Sequence, residues 1–235
     1  MNRQQTVTAT LLAFASGVMI TTLPSSQAED KPFDRTSRAF REAEGALQRS
    51  TEVYKAISES KEKPIPQSVL KKAKCVAIFP DTRTVSLGVG ATHSDGVGFC
   101  KTASNTWENP MFLNLTGGSI GLQAGYKSAD VVLYITGDKA VEALRKGEFK
   151  MGAGMTAVAG TFEGSFEPKD AEMVAYRRTA GAFAGAALAG VSITRDEDDE
   201  SAFYGTRQPS LTAQIPADLE SRVNAIRDVL PTTVG

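Results

Sequence analysis

The chain has 235 residues, of which 41% are hydrophobic, with 26 basic and 27 acidic side chains. This length is enough for one large domain with a sizeable core. The formal net charge of −1 argues against broad nucleic-acid binding, because a protein needs a basic surface to displace counterions from phosphates. Any binding of anions must therefore be local.

The amino terminus contains the parts of a secretory signal peptide in order. Arg3 precedes an apolar stretch from Val7 to Ile20, and Ser26-Gln27-Ala28 supplies small residues for cleavage. The alternative, a transmembrane anchor, needs about 20 predominantly apolar residues, and this stretch is shorter and diluted by Thr, Ser and Gly. We expect cleavage after Ala28, a mature chain of residues 29–235, and export to the periplasm or the cell exterior.

Two helices are predicted before residue 75. Apolar residues recur at three- and four-residue intervals between Phe33 and Ile57, which places them on one helical face. A short helix is expected from Pro66 to Ala73, since the missing amide hydrogen of proline is harmless in a first turn.

Two basic clusters accompany these helices. They consist of Arg35, Arg38 and Arg41, and of Lys71, Lys72 and Lys74. Phosphate headgroups are natural partners for such clusters, and Phe33 and Phe40 would then enter the membrane interface. In the alternative, the apolar face of the first helix packs on a sheet and the charges face solvent.

From Cys75 to about Phe183, short apolar and β-branched runs are separated by Gly, Asp, Asn and Ser, which is typical of a sheet with tight turns. We expect a hairpin turn at 92–95, separate strands at 111–115, 119–126 and 131–135, and helices at 138–146 and 216–230. The predicted fold is a single α+β domain. It has a curved, largely antiparallel, glycine-rich sheet, barrel-like or sandwich-like, with amino- and carboxy-terminal helices packed around it.

The two cysteines, Cys75 and Cys100, lie in strand-like contexts. A disulfide would persist in an exported protein and would close a loop of 26 residues. Two buried free thiols are the alternative, and sequence does not decide between them because pairing requires the Cα atoms to lie within about 7 Å.

No constellation of catalytic residues stands out. The one histidine, His93, lies in a predicted turn, and no glycine cluster completes a nucleotide-binding motif. The acidic run at 196–200 lacks the ligand spacing and the glycine of a calcium loop, which favours a solvated loop. We therefore predict no enzymatic activity, no cofactor and no metal site.

Four motifs in a fixed order carry a family resemblance. The first runs from Ile65 to Pro80, and the others begin at Trp107, Ser119 and Phe203. Together they resemble the SYLF domain, also called the Ysc84-like family, over roughly residues 36–205. The motif residues, to which we assign mainly architectural roles with the lining of a lipid groove as the alternative, are Pro80, Trp107, Pro110, Gly121, Gln123, Gly125, Phe203, Tyr204 and Gly205.

The resemblance implies a lipid-binding module, whose amino-terminal amphipathic helix contacts the membrane in some members. We therefore expect non-catalytic binding of anionic phospholipid headgroups, peripherally, at a bacterial envelope membrane. One alternative is an envelope protein-interaction or structural module without lipid selectivity. Another is a hydrolase whose carboxylates meet in a cleft.

Overall fold

The structure, a computed structural model, describes residues 34–59, 65–150, 157–160, 172–178, 190–206, 211–212 and 214–232. The described residues form five helices and six strands in one α+β domain, as predicted. The helices are α1 (Arg38–Ser58), α2 (Gln67–Lys72), α3 (Asp138–Lys146), α4 (Glu197–Tyr204) and α5 (Ala217–Arg227). The strands are β1 (Cys75–Cys100), β2 (Met111–Ile135), β3 (Phe149–Lys150), β4 (Ala157–Gly160), β5 (Met173–Arg178) and β6 (Val191–Arg195).

The centre of the fold is a long antiparallel ribbon made by β1 and β2. Cys75 pairs with Ile135 at one end of the register, and Gly98 pairs with Met111 at the other. A straight strand of 26 residues would span about 85 Å, yet the Cα atoms of Cys75 and Cys100 are 4.0 Å apart. The ribbon therefore turns back on itself near its middle, where the register shifts between Leu87 and Val89.

Two names follow from this geometry. The root is the end of the ribbon where β1 and β2 begin and end, at Cys75, Cys100, Met111 and Ile135. The tip is the opposite end and carries Val85, Leu87, Val89 and Tyr126, with Val85 paired directly to Tyr126.

The other strands extend the ribbon into a curled half-barrel sheet. Strand β5 pairs antiparallel with β2 at Val131 to Ile135, and β4 pairs parallel with β5. Strand β6 pairs antiparallel with β2 at Leu113 to Gly117, and β3 lies outside β6. Most of the pairing is antiparallel, which confirms the predicted sheet.

The sheet is buried on both faces near the root. Successive strand residues point to opposite faces, so Val76 and Ile78 pack into the core under α1, α4 and α5. Cys75 and Ala77 pack into a second core, which includes Leu144 of α3. Both clusters of side chains thus come from alternating positions of the same strands.

Some local predictions were wrong. Residues 92–95 do not form a hairpin turn but continue β1, and the three strands expected between 111 and 135 are one strand. The acidic run is not a solvated loop, because Asp196 caps α4 and accepts a hydrogen bond from the Asp199 amide at 2.9 Å. Carboxylates in the first turn of a helix are stabilised by the helix dipole. Gly205 ends α4 in a left-handed conformation, with φ of 67°.

The cysteine pairing is now decided, since Cys75 and Cys100 form a disulfide at the root. The predicted signal peptide at 1–28 and Phe33 lie outside the described residues, so export stays a prediction. Within the described ranges, no helix is both long enough and apolar enough to cross a membrane.

Candidate functional site

A cavity of about 790 Å³ opens at the root of the ribbon. Its walls come from the end of α2, the loop that joins β1 to β2, and the beginning of α3. Four lysines line it, namely Lys71, Lys72, Lys74 and Lys101. We call it the lysine cavity. Two carboxylates, Asp138 and Glu172, also line it, so its formal charge is positive by two.

The disulfide explains why the lysines converge. Lys74 precedes Cys75 and Lys101 follows Cys100, and the Lys101 amide donates a 2.8 Å hydrogen bond to the Lys74 carbonyl. Lys71 and Lys72 occupy the last turn of α2, where cations are favoured by the helix dipole. The cross-link thus gathers residues that are far apart in the sequence.

The lysines differ in their partners. Lys74 Nζ lies 2.6 Å from Asp138 Oδ1. Lys71 and Lys72 make no ion pair with any residue that the structure describes, and both are exposed. Two lysines of the cavity are therefore available to an anion in solution.

Lys101 is the unusual member of the cavity. Its Nζ is buried without a hydrogen-bond partner among the described residues, and it lies 4.8 Å from the centre of the Trp107 ring. Burial lowers the pKa of this ammonium group, because removal from water disfavours the charged form. A buried cation that lacks an acceptor is costly, and an anion in the cavity would supply one.

The beginning of α3 adds positive potential to the cavity. Gly137 caps the helix without a side-chain hydrogen bond, and the first amide groups of a helix have no acceptor inside it. These amides and the helix dipole favour anions. Asp138 in the same turn is the opposing charge, and Lys74 neutralises it.

The predicted arginine cluster lies elsewhere. It sits at the beginning of α1, and none of its three arginines lines the lysine cavity. Arg35 pairs with Asp218 of α5 and Arg38 with Glu42, and Arg41 donates to the Thr36 carbonyl. The structure does not bring the two basic clusters together.

The apolar face of α1 is turned inward. Phe40 is 5% exposed, and Leu47, Tyr54 and Ile57 are also buried in the core under the helix. Phe40 therefore packs in the core of the protein and is not exposed for the membrane contact considered from the sequence.

Several of the motif residues make contacts that stabilise the fold around the root. Pro110 accepts a 2.7 Å hydrogen bond from the Tyr204 hydroxyl, which joins two of the family motifs. Phe203 packs on Phe112 with ring centres 4.9 Å apart. Pro80 is buried, and its carbonyl accepts a 2.8 Å hydrogen bond from Ser94.

The glycine motif lies nearer the tip. Gly121, Gln123 and Gly125 lie in β2, where Gly125 pairs with Ser86. The side chain of Gln123 falls outside the described residues. Whether these positions line a lipid groove stays a prediction.

A second cavity, of about 360 Å³, lies between α1 and α5. Its lining includes Glu44 and Glu52 together with Lys55 and Arg222, and Arg222 pairs with Glu44. The two carboxylates make this groove a poorer site for an anion than the lysine cavity.

Sequence reasoning missed Lys101. The signal was present as the symmetric pattern of Lys74-Cys75 and Cys100-Lys101, which places two lysines side by side once the cysteines are paired. Because the pairing was left open, Lys101 was not added to the basic cluster.

Comparisons with known proteins agree with the motifs. Residues 116–228 match the model of the Ysc84 family, described as Las17-binding protein actin regulator. The chain is 28% identical over 149 residues to SH3 domain-containing YSC84-like protein 1 of Homo sapiens, covering 61% of this chain and 43% of that protein. It is also 28% identical over 149 residues to LAS seventeen-binding protein 3 of Saccharomyces cerevisiae, covering 60% of this chain and 32% of that protein.

The chain thus spans less than half the length of these relatives. No solved structure matches it. The matched segment includes most of β2 and all of α3, α4 and α5, and it contains the two motifs that begin at Ser119 and Phe203. The family model, the relatives and the motif order all point to the Ysc84-like, or SYLF, family, which the chain resembles over residues 116–228.

Proposed function

We propose that this protein binds anionic phospholipid without catalysis, and that the lysine cavity receives the phosphate-bearing headgroup. The observation that carries the proposal is that Lys101, a residue of the cationic cavity lining, has a buried Nζ with no acceptor among the described residues. Lys71 and Lys72 at the rim add charge that is free to meet a phosphate.

The size and lining of the cavity suit a lipid headgroup. A volume of about 790 Å³ falls within the range of small-molecule sites. Ala73, Ala103 and Val141 add apolar wall beside the lysines, which is suited to a glycerol backbone or the first carbons of an acyl chain. The family resemblance independently implies phospholipid as the ligand.

The expected location follows from the amino terminus. If residues 1–28 are a signal peptide, the mature chain works in the bacterial envelope, as a peripheral protein on a membrane surface. No lipid anchor is needed for this mode of binding, since each basic residue near an anionic surface contributes about 1 kcal/mol.

Vesicle co-sedimentation tests the proposal. The purified chain is mixed with phosphatidylcholine vesicles that contain or lack phosphatidylglycerol, at low and high salt. We expect selective binding to the anionic vesicles that weakens with salt, because screening reduces headgroup attraction. The combined variant Lys71→Gln, Lys72→Gln and Lys101→Gln should bind about a hundredfold less tightly.

A matched control removes the same charge elsewhere. Lys55→Gln, Lys139→Gln and Lys150→Gln also delete three lysines, none of which lines the lysine cavity. Equal losses of vesicle affinity in the two triple variants would mean that the net charge of the protein, and not the lysine cavity, attracts the vesicles. Binding that ignores both salt and the cavity lysines would contradict the proposal.

A protein partner is the alternative function. LAS seventeen-binding protein 3 binds a protein according to its name, and the groove between α1 and α5 offers mixed charges. This reading predicts no selectivity between vesicles and a stable partner from envelope extracts. Substitution of Glu52 and Arg222 would then weaken capture of that partner, whereas the lysine triple variant would not.

A further inference from the structure

We infer that the tip of the ribbon inserts into a lipid bilayer. Leu87 is 81% exposed and Val89 is 71% exposed, and more than half of Val85 and of Tyr126 is exposed as well. These four are the large hydrophobic side chains that stand out as exposed among the described residues. They all lie at the one end of the ribbon where the chain reverses.

The polarity of the ribbon is inverted near the tip. At the root, apolar side chains point inward on both faces of the sheet. Towards the tip, Thr82 and Ser94 are 2% and 4% exposed, and Thr84 bonds to Thr92 across the two limbs of β1 at 3.0 Å. The side chains that point outward are the aliphatic ones, an arrangement suited to an apolar surrounding and not to water.

The outward-facing residues of β1 are ordered by polarity along the ribbon. Leu87 and Val89 lie at the end, followed by Val85 and Ala91, then Arg83 and His93, and finally Asp81 and Asp95; all of these except Asp81 are exposed. Arg83 pairs with Asp81, and His93 Nε2 lies 3.2 Å from Asp95 Oδ1. Apolar residues outermost, with the cationic Arg83 behind them, match the order of acyl chain and phosphate in a bilayer.

Tyr126 fits the same arrangement. It lies beside Val85 in the register, between the aliphatic end and the level of Arg83. Tyrosine is enriched at membrane interfaces because its ring is apolar and its hydroxyl group can stay hydrated.

The tip is better suited to contact a bilayer than a protein partner or a second copy of the chain. A stable protein interface buries about 800 Å² on each partner, more than four side chains at the end of a sheet provide. Insertion into acyl chains needs no complementary surface, and each buried side chain contributes separately. The tip is thus large enough for a membrane contact and small for a dimer contact.

This inference rests on the proposed phospholipid binding for its partner, but it concerns the opposite end of the ribbon. None of the four tip residues lines the lysine cavity. Substitutions at the tip therefore leave the cavity intact, and the two contributions can be measured separately.

Tryptophan fluorescence tests the insertion. Trp107 is the single tryptophan of the chain, so Leu87→Trp in a Trp107→Phe background reports only on the tip. We expect its emission to shift to shorter wavelength and to be quenched by vesicles with brominated acyl chains. Gln67→Trp in the same background is the matched control, because Gln67 is exposed on α2 at the root, and its emission should not be quenched.

Vesicle partitioning gives the second readout. Leu87→Asp should lower partitioning into neutral and anionic vesicles by about tenfold or more, given the value of burying a leucine side chain. Thr116→Asp places the same charge at an exposed position of β2 that pairs with His93, and it should have a smaller effect. Both residues are exposed, so the melting temperature should not change.

The outcomes separate the two proposals. An unquenched Leu87→Trp, in a chain that still binds anionic vesicles through its lysines, would overturn insertion and leave the headgroup proposal standing. A quenched Leu87→Trp with no effect of the lysine variants would support insertion and overturn the headgroup proposal. A dimer that Leu87→Asp converts to a monomer would overturn insertion, and failure to bind any vesicle would overturn both.

Discussion

The root and the tip are opposite ends of the folded ribbon that β1 and β2 make, and they follow opposite rules of side-chain burial. At the root, each of the residues 75–80 is buried, α3 packs on one face of the sheet and α1, α4 and α5 on the other. At the tip, Leu87 and Val89 face solvent while Thr82 and Ser94 are buried.

The difference assigns folding stability to the root, which also carries the lysine cavity, and leaves the tip free to contact a bilayer. The root contains the disulfide, both cores and the hydrogen bond between two family motifs. None of the tip side chains that the structure describes belongs to either core. Exposed apolar groups without a structural role are typical of interaction sites. Four experiments follow, from the largest expected change in stability to the smallest.

Loss of the disulfide should destabilise the root most. Cys75 and Cys100 are separated by 25 positions, and closing a loop of this length is worth about 3.5 kcal/mol in the chain-entropy model. Cys75→Ser with Cys100→Ser should lower the free energy of unfolding by about this amount in urea titrations. Addition of a reductant should affect only the unsubstituted chain, and equal stability of the two proteins would contradict the role of the cross-link.

A pair of leucines compares the two ends directly. Leu113 is buried in the core beside α3, and Leu113→Ala should cost about 3 kcal/mol because it leaves a cavity. Leu87→Ala, the same change at the tip, should alter the free energy of unfolding by less than about 0.5 kcal/mol. Similar costs at the two positions would show that the tip is packed in solution.

The helices over the root should make stability depend on pH. The pKa of Asp199 on α4 is raised to about 7, first by burial and then by the charges of Asp196, Glu42 and Asp95. Since its ordinary value is 3.8, the folded chain binds more protons than the unfolded chain between about pH 4 and pH 7. The free energy of unfolding should therefore fall as the pH rises through this window.

Asp199→Asn removes this group while keeping a similar shape. The variant should be more stable than the unsubstituted chain above pH 7, by about 2 kcal/mol, with a weaker dependence on pH. Some dependence should remain, because burial also raises the pKa of Glu200. Parallel stability curves for the two proteins between pH 4 and pH 8 would contradict the assignment.

Lys101 is expected to lower the stability of the fold while it strengthens the binding of anionic vesicles. Its buried ammonium group has no acceptor among the described residues, so Lys101→Met should raise the free energy of unfolding by about 1 kcal/mol. The same variant should bind anionic vesicles about tenfold less tightly. Lys139→Met, on an exposed position of α3 outside the cavity lining, should change neither quantity much.

The sequence was sufficient for the fold class and for several elements. Apolar spacing placed α1 and α3 correctly, and Pro66 marked the beginning of α2. The alternation of apolar residues also identified strands. It did not locate the reversal of the ribbon, because Gly88 and Gly90 resemble the glycines at Gly96 and Gly98.

The site was predictable in part. Lys71, Lys72 and Lys74 are neighbours in the chain, and they were found because local clusters are visible in sequence. Lys101 reaches them only through the pairing of Cys75 with Cys100. The arginines at the beginning of α1 were grouped with the lysines, since sequence does not show that Asp218 of α5 would pair with Arg35.

The most direct test of the central claim, which is headgroup binding in the lysine cavity, uses monomeric lipid in solution instead of a bilayer. Short-chain phosphatidylglycerol, kept below its micelle concentration, is titrated into the chain while the emission of Trp107 is recorded. Trp107 contacts Lys101 in the wall of the cavity, and the tip cannot contribute because no bilayer is present. The account predicts a saturable change of one-to-one stoichiometry that short-chain phosphatidylcholine does not produce. Its affinity should fall with salt and fall about tenfold in Lys101→Gln. No saturable change, or the same change with the neutral lipid, would contradict it.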